Sequence, residues 1–476
     1  MQQRAWERIG MVGVALAALV LGPSPSRAAG GVFVVTSDFQ TGSTAYLAPD
    51  ATAAEADLFT VHGDAGVRYW DGKLYVVNRL GQDNVIVVDA ADPRRPELQF
   101  SVGNGTNPQD IAVISPQRAY VTRYEVATAL IVNPATGDSI GHVDLSGFAD
   151  ADGVPEMGEM AVIGGRLYVA LQRLDRSGFP WNPVDDSFLA VVDAASGELV
   201  DADPGVAGIQ GIRLAAANPN SLIPVGNRLA VSETAAFGDA AGGVELVDPE
   251  AGTSAGLAVS EADLGGDITH LTMVSPEKGY AIVSDASYVN SVRSVNLSTG
   301  EVGPPLAGLS GGFLQSTAAA GGRLYVGERG SFAAPDAAGL MVYDTATDQL
   351  LTGPISTGLP PASIAVLAER RITAVAEDAA APLPAQARLG LAYPNPFNAA
   401  AVIPFDLDQS GPTAVTVRDL LGRPVRTLVR GPLPAGSHAL RWDGRDDAGA
   451  IVATGTYVVE LRAGGVAVAR KVTLLK

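Results

Sequence analysis

Seven times along the chain, a short apolar run ends in Asp or Asn immediately before a turn: Asp50, Asp89, Asn133, Asp193, Asp248, Asn296 and Asp344. Successive members of this series are 39 to 60 residues apart. The blades of β-propellers are four-stranded units of roughly 40 to 50 residues. The repeat therefore predicts an all-β chain whose first two thirds form a seven-bladed β-propeller, with a β-sandwich or an open solenoid as the alternatives.

A second signature precedes the Asp or Asn of each repeat. Its clearest copies are DGKLYV at 71–76 and GGRLYV at 164–169 and 321–326. Glycine adopts the left-handed backbone that a two-residue hairpin turn needs, so each copy indicates a tight turn leading into an apolar strand. One repeat thus contains an inner strand, a hairpin, a second strand, a loop, a third strand ending in Asp or Asn, a turn and a fourth strand.

The first and last repeats are incomplete in complementary ways. Residues 32–35, 43–48 and 57–61 supply a second, a third and a fourth strand with no inner strand before them, whereas 363–367 form an inner strand with no blade after it. Pairing of these segments would close the ring and remove a long exposed sheet edge. We therefore predict that 363–367 completes the first blade.

The N-terminal segment 1–28 has the features of a secretory signal peptide. Arg4 and Arg8 precede an apolar stretch at 9–21, and Ser26-Arg27-Ala28 matches a small-x-small cleavage site. The apolar stretch is too short to span a bilayer, and no transmembrane helix is predicted in the remainder. We expect an exported protein that is extracellular or attached to the outer cell surface.

The net charge argues against binding to nucleic acid. The formal net charge of the chain is −19. Because residues 1–28 contain three Arg and one Glu, the net charge of the remainder is −21. Such a surface repels nucleic acid and anionic lipid, although acidity also keeps an exported protein soluble. The sequence contains no cysteine, which excludes disulfides, thiolate metal ligands and cysteine nucleophiles.

The repeat ends before a segment rich in Ala and Pro, AVAEDAAAPLPAQAR at 374–388, which is typical of a linker. The predicted propeller domain therefore covers 29–373. Residues 389–476 contain six stretches of alternating apolar and polar residues, enough for a small immunoglobulin-like (Ig-like) β-sandwich. Trp442 and Tyr457 are expected in its core.

The segment 389–476 also contains several motifs in a characteristic order: YPNPFN at 393–398, DLLGR at 419–423, PAG at 434–436, WDG at 442–444 and GTY at 455–457. This order resembles the C-terminal sorting domain of type IX secretion substrates. The stretch WDGRDDAGAIVATGTY at 442–457 is also similar to the Ig-like domain of flagellar hook-capping proteins. The resemblance implies recognition by an outer-membrane export machinery.

The repeats of the LYV kind resemble YVTN-type and quinoprotein-like seven-bladed propellers over 32–367. WD40-type propellers share this outline. Propellers of these kinds include binders, scaffolds and enzymes, so the resemblance implies a fold and leaves the function open.

Alignment of the inner strands puts one residue of each at the same level: Gly66, Asp110, Glu159, Ser221, His270, Ser316 and Ser363. Inner strands line the central channel of a propeller, so these residues are expected to form a ring near one mouth. Within it, Asp110, Glu159 and His270 could bind a divalent cation, and carboxylate oxygens favour calcium. The alternative is a hydrated channel lined by small polar groups.

The long insertions all follow second strands, at 172–186, 234–242 and 329–338. Because second strands end where inner strands begin, we expect the insertions on the same face as the polar ring, and binding residues gather on such loops. In the first insertion, QRLDRSGFPWNPVDD, an aromatic residue flanked by Arg and Asp suits a sugar ring or a peptide, unless Trp181 only fixes its own loop. The predicted ligand-binding residues are Arg173, Trp181, Asp185, Asp186, Glu233 and Glu328.

Two functions remain open at this point. The first is a noncatalytic secreted or cell-surface propeller that binds a glycan, a peptide or a protein partner and is delivered by its C-terminal sorting domain. The second is a hydrolase, lactonase or lyase that depends on a cation bound by Asp110, Glu159 and His270, which requires ligands within about 2.3 to 2.6 Å of one ion. We favour the first, because no residue set meets the geometric roles of an active site from the sequence.

Overall fold

The computed structural model describes residues 30–367 except 179 and 185, together with 387–389, 392, 397–398, 400–407, 409–419, 423–463 and 466–474. These residues fall into two compact units, one on each side of the segment 368–386. The predicted signal peptide, all of the predicted linker except 387–388, and the motif residues 393–396 and 420–422 lie outside the described residues. No helix of the described residues is long and apolar enough to cross a membrane.

The first unit is built from antiparallel sheets in which neighbouring strands follow each other along the chain. The first sheet contains β1 (Val32–Ser37) and β2 (Gly42–Leu47). The second contains β3 to β6, which are Ala65–Trp70, Lys73–Asn78, Asn84–Asp89 and Pro96–Ser101. The third contains β7 to β10, which are Pro108–Ser115, Arg118–Arg123, Thr128–Val132 and Ser139–Asp144.

The fourth sheet carries the longest insertion. Its strands β11 to β17 are Met157–Ile163, Arg166–Leu171, Leu174–Asp175, Asn182–Pro183, Phe188–Asp193, Leu199–Val200 and Ile212–Arg213. Of these, β13 and β14 form a separate two-stranded ribbon. A short 3₁₀ helix at Ser146–Phe148 precedes the sheet.

The remaining sheets return to the simple pattern. The fifth contains β18 to β21, which are Pro219–Val225, Arg228–Glu233, Gly243–Asp248 and Thr253–Ser260, and is followed by α1 (Glu261–Leu264). The sixth contains β22 to β25, which are Asp267–Met273, Lys278–Ser284, Asn290–Asn296 and Val302–Pro305. The seventh contains β26 to β29, which are Leu314–Ala320, Arg323–Glu328, Gly339–Asp344 and Leu350–Ile355, with a 3₁₀ helix at Pro335–Ala337.

The last strand of this unit, β30 (Pro361–Val366), pairs antiparallel with β1 and aligns Val366 with Val32. The predicted closure of the ring is therefore confirmed. The predicted fourth strand at 57–61 is reduced to single bridges that join Tyr46 to Glu55 and Gly42 to Val61. The unit is a seven-bladed β-propeller, in which we number the blades from 1 (β30, β1 and β2) to 7 (β26 to β29).

The recurring Asp or Asn fixes the turn after the third strand in blades 2 to 7. The Asp193 carboxylate accepts hydrogen bonds from the N–H groups of Ala195 and Ser196 at 3.1 and 2.8 Å. Asp344 accepts two equivalent bonds, each of 2.9 Å. A short polar side chain that binds the backbone two residues on is an Asx turn, which explains why the repeat ends in these residues.

The hydrophobic cores lie between neighbouring blades. Tyr120 of blade 3 packs in one cluster with Leu167 and Val169 of blade 4, and all three are fully buried. The cluster that joins blade 7 to blade 1 contains Val34 and Leu340. Each sheet is therefore buried on both faces, which is the reason that its strands are continuous apolar runs.

Side chains of one blade also bind the backbone of the next at the level of the predicted polar ring. Inner strands are edge strands and several are bulged there, so some of their N–H groups have no partner within their own sheet. The side chains of Ser363, Asp110, Glu159 and Ser221 accept hydrogen bonds of 2.8 to 3.2 Å from the N–H groups of Val67, Met160, Leu222 and Leu271. Each donor follows the ring position of the next blade, and we call this set of contacts the polar belt.

The second unit has the two packed sheets of an Ig-like domain. One contains β31 (Ala387–Leu389), β32 (Ala401–Leu407) and β35 (Gly436–Trp442), and the other β33 (Gly411–Arg418), β34 (Pro424–Leu433), β36 (Gly455–Ala463) and β37 (Val466–Leu474). Trp442 is fully buried and contacts Phe397 and Tyr457 edge to face, with ring centroids 5.3 and 5.1 Å apart. The expected positions of Trp442 and Tyr457 in the core are confirmed.

Candidate functional site

One end of the propeller carries all the loops between second and third strands and all the connections from one blade to the next. This follows from the antiparallel order, because second strands end and inner strands begin at the same end of a blade. We call this end the loop face. The predicted insertions and the mouth with the polar ring lie on it.

An arginine that the sequence did not single out occupies the channel at the polar ring. Arg68 of β3 donates two hydrogen bonds to Asp110, at 2.6 and 2.9 Å, and its guanidinium lies 3.2 Å from Glu159. Its side chain keeps 40% of its surface accessible. Burial opposes the charge of Glu159, but Arg68 and His270 together hold the pKa of Glu159 below its ordinary value.

The structure corrects the prediction that Asp110, Glu159 and His270 bind a divalent cation. His270 directs its Nε2 to the carbonyl oxygen of Thr317 at 3.2 Å, and burial lowers the pKa of the imidazole. Within the described residues, no three His, Asp or Glu side chains come together as a metal-ligand group, and this includes Asp110, Glu159 and His270. The prediction placed a calcium ion between Asp110 and Glu159. In the structure, Arg68 supplies the positive charge between these two carboxylates.

Two predicted ligand-binding residues, Glu233 and Glu328, have no exposed surface and instead hold loops in place. Glu328 accepts hydrogen bonds from the N–H groups of Ser310 and Gly330 at 3.0 and 2.8 Å. Glu233 accepts one from the N–H of Ala216 at 3.0 Å, and burial together with neighbouring Glu245 raises its pKa to about 11. Connections distant in sequence cover both side chains, so neither faces solvent in the structure.

Two further buried glutamates have the same role. Glu156 accepts a hydrogen bond from the N–H of Leu174 at 3.0 Å, at the start of the first insertion. Glu261 accepts one from Gly242 and one from Ile268, each at 2.9 Å. Burial raises the pKa of both carboxyls to about 7, although these N–H donors oppose the shift.

The predicted ligand-binding residues of the first insertion mostly stabilise the insertion itself. Arg173 donates to the carbonyl oxygen of Asp186 at 2.7 Å and lies over the ring of Phe188. The Asp186 carboxylate pairs with Arg213 at 2.7 Å. Trp181 keeps 46% of its surface exposed, and Asp185 lies outside the described residues.

The loops of blades 3 and 4 are joined by ion pairs around Arg176, which is 18% exposed. Its guanidinium lies 2.7 Å from Glu125, 3.2 Å from Asp152 and 3.1 Å from Glu156. On blade 2, Arg79 pairs with Asp64 at 3.7 Å. We call the loops of blades 2 to 4 the charged sector, because their charged groups are largely paired with one another.

The opposite part of the loop face exposes aromatic side chains. Among the described residues of the propeller, the exposed aromatic side chains other than Trp181 all belong to loops of blades 5, 6, 7 and 1: Phe39, Phe237, Tyr288, Phe313 and Phe332. We call this set the aromatic arc. Tyr288 is 74% exposed, and Phe332 is fully exposed.

Contacts between loops join four members of the aromatic arc into two pairs. Phe237 of blade 5 stacks on Tyr288 of blade 6 with ring centroids 6.0 Å apart. Phe313, before blade 7, lies 6.2 Å from Phe39 of blade 1, and the guanidinium of Arg329 lies 4.2 Å from the Phe39 ring. The arc thus spans four consecutive blades and presents an apolar surface, which on a monomeric domain is typical of a binding site.

The aromatic arc is surrounded by carboxylates. Its loops carry five that are exposed or half-buried and form no ion pair with a described Lys or Arg: Asp38, Asp239, Asp263, Asp285 and Asp336. The one arginine of these loops, Arg329, donates to the carbonyl oxygens of Ser37 and Pro361 and stacks on Phe39. The surface therefore combines apolar area with a negative charge.

Sequence reasoning missed the aromatic arc, although a signal for it was present. Phe39, Tyr288 and Phe332 occur two to four residues after the end of a second strand. Alignment of the repeats on the ends of the second strands would have brought these aromatic residues together. The inner-strand alignment used for the polar ring does not show them.

The C-terminal unit matches a known family model. Residues 397–465 match the model of the FlgD Ig-like domain, which agrees with the resemblance noted from the motifs. No curated protein matches the sequence of this chain.

Solved structures with propeller-like folds resemble the chain at low identity. BamB from Moraxella catarrhalis is 12% identical, with a TM-score of 0.38 over 62% of this chain and 80% of its own. Virginiamycin B lyase from Staphylococcus aureus is 10% identical, with a TM-score of 0.43 over 61% and 84%. The WD40 β-propeller domain of Doa1 is 14% identical, with a TM-score of 0.38 over 61% and 82%.

Proposed function

We propose that this protein is an exported binding propeller whose aromatic arc receives a polypeptide partner. The observation that carries the proposal is the concentration of exposed aromatic side chains on one part of the loop face. Aromatic side chains at the centre of an interface supply most of the binding free energy of protein complexes.

The chemistry of the arc favours a cationic, apolar polypeptide over a glycan. Four of its five members are Phe, which offers no hydrogen-bonding edge for sugar hydroxyls. The five surrounding carboxylates complement Lys and Arg side chains, because opposite charges steer association and discriminate against acidic partners. We therefore expect a partner segment in which apolar residues alternate with Lys or Arg.

A peptide library tests this proposal. Random 12-residue peptides displayed on phage would be selected on the full chain, and the recovered peptides measured against Phe237→Ala/Tyr288→Ala. We expect binding to weaken at least tenfold, about 1.4 kcal/mol or more, and to weaken further with salt. Trp181→Ala should have a smaller effect, because Trp181 lies outside the arc.

Leu351→Ala is the matched control, since Leu351 is also an exposed apolar residue, 53% accessible, but lies on the outer strand β29. It should bind the recovered peptides as the unmodified protein does. Equal binding by the double variant would remove the aromatic arc as the site. If neutral oligosaccharides bound and were lost in the double variant, the partner would be a glycan.

We further propose that the C-terminal unit delivers the propeller through an outer-membrane export machinery. The order of motifs after residue 393 and the match to an Ig-like domain support this role. In the native cell, a chain that ends at Ile372 should accumulate in the periplasm, whereas the full chain should reach the surface. Surface delivery of the shortened chain would contradict the proposal.

A further inference from the structure

A cleft of about 430 Å³ opens on the loop face at blade 6. Its walls come from the connection after blade 5, from the first residues of β24 and from the connection between blades 6 and 7. Leu264, Val283 and Leu306 give it apolar sides. The volume lies within the range of small-molecule sites, which is roughly 300 to 1,000 Å³.

Arg293 on β24 is the one basic residue among those that line the cleft. Its Nη1 donates to the carbonyl oxygen of Gly303 at 3.3 Å, and its buried Nε has no hydrogen-bond partner among the described residues. Arg293 also forms no ion pair with a described Asp or Glu. A half-buried cation without a counter-ion is unfavourable, because buried charges are stable only when paired.

Neighbouring polar groups leave this cation available. Asp285 also lines the cleft, but its carboxylate accepts hydrogen bonds from the N–H groups of Ser287 and Val289 at 2.8 and 3.0 Å. Ser291 lies two residues before Arg293 on the same strand, so the two side chains point to the same side. A guanidinium beside a hydroxyl presents donors that match the two oxygens of a carboxylate.

We propose that this cleft binds the carboxylate of an apolar acid, with Arg293 and Ser291 holding the carboxylate and the apolar walls receiving the rest of the molecule. A monoanion fits better than a phosphate ester, because one guanidinium cannot balance a dianion between apolar walls. The acid is either a small organic acid or the C-terminus of a polypeptide. None of the five aromatic residues of the arc lines the cleft, although Asp285 lies both in the cleft and among the carboxylates around the arc.

Ligand-observed NMR titrations of the full chain with three probes test the proposal. Acetyl-leucine and 4-methylpentanoate carry a carboxylate, and acetyl-leucinamide is the neutral control. We expect the better of the two acids to bind with a Kd of about 1 mM or tighter and at least tenfold more tightly than the amide. Tighter binding of acetyl-leucine identifies a chain terminus as the ligand, and tighter binding of 4-methylpentanoate identifies an organic acid.

Variants of the cleft make the result specific. Arg293→Met keeps the apolar stem and removes the charge, so it should weaken binding of the acid at least tenfold. Should it fail to fold, Arg293→Lys keeps the charge without the planar fork and should weaken binding at least threefold. Arg166→Met, at an exposed position of the opposite end, and Tyr288→Ala, in the aromatic arc, should leave binding unchanged.

The proposal is overturned if the amide binds as tightly as the acids, if Arg293→Met binds them unchanged, or if none of the probes binds at 20 mM. Weaker binding of the selected peptides by the Phe237→Ala/Tyr288→Ala variant would neither support nor contradict the binding of an acid in the cleft. The proposals for the aromatic arc and for the cleft can therefore be contradicted independently.

Discussion

The two sectors of the loop face use their side chains in opposite ways. In the charged sector, Arg176 satisfies three carboxylates from two blades, and Arg213 pairs with Asp186. In the aromatic arc, Tyr288 and Phe332 project into solvent with most of their surface exposed. Charged groups that are already paired stabilise loops, whereas exposed aromatic groups gain from burial only when another molecule covers them.

The difference shows why polar residues on a loop face are a weak indication of a binding site. Arg173, Asp186, Glu233 and Glu328 all have the residue types of a ligand-binding site, yet each has a partner within the propeller. A polar group is available to a ligand only if the fold leaves it unpaired. That condition depends on segments distant in sequence.

Both sectors depend on ring closure, so the largest effect is expected from its removal. A chain that ends at Pro360 lacks β30, which pairs with β1 and accepts a hydrogen bond from Arg329 at the carbonyl oxygen of Pro361. We expect loss of cooperative thermal unfolding, measured by circular dichroism. A chain that ends at Ile372 keeps β30 and should unfold cooperatively near the temperature of the full propeller; equal behaviour of both chains would contradict the role of β30.

An intermediate effect is expected in the charged sector alone. Arg176→Met leaves Glu156, which has no exposed surface, without its counter-ion. The free energy of unfolding, measured with denaturant at pH 8, should fall by about 2 kcal/mol. Arg213→Met removes an ion pair whose Arg is 69% exposed and should cost under about 0.5 kcal/mol. Comparable losses in the two variants would show that Arg176 is an ordinary surface arginine.

The remaining effect is shared by the two sectors and depends on pH. The pKa of Glu156 and that of Glu261 are raised by burial to about 7, above their value of about 4.3 in the unfolded chain. Their contribution to stability is therefore fully present below about pH 4.3 and is lost as the pH rises through 7. We expect the free energy of unfolding to fall by about 2 to 3 kcal/mol per group between pH 5 and pH 8.

Substitution separates the two groups. Glu156→Gln and Glu261→Gln should each reduce this pH dependence, and what remains in the double variant should come mainly from Glu233, whose pKa of about 11 lies above the window. Asp38 and Asp344, whose pKa values backbone hydrogen bonds lower, titrate below this window. A pH dependence unchanged in the double variant would assign it to other groups.

The sequence predicted the parts of the fold that depend on local chemistry. The Asp or Asn at the end of each third strand and the glycines of the hairpins, such as Gly72 with φ +83°, could be recognised because turns depend on a few adjacent residues. The closing strand followed from counting incomplete repeats. The polar ring was correctly assigned to one level, but its contacts depend on bulges and on Arg68, which no repeat position indicates.

The polar belt has a direction. Ser363, Asp110, Glu159 and Ser221 each support the blade that follows along the chain, so a substitution at one of them disturbs its successor rather than its own sheet. Gly66 of blade 2 has no side chain that could accept a hydrogen bond from blade 3. The N–H group of Ile111 in blade 3 instead donates to the Asp110 carboxylate of its own strand at 2.8 Å. At the step from blade 2 to blade 3, Arg68 takes the place of the missing belt contact by reaching forward to Asp110.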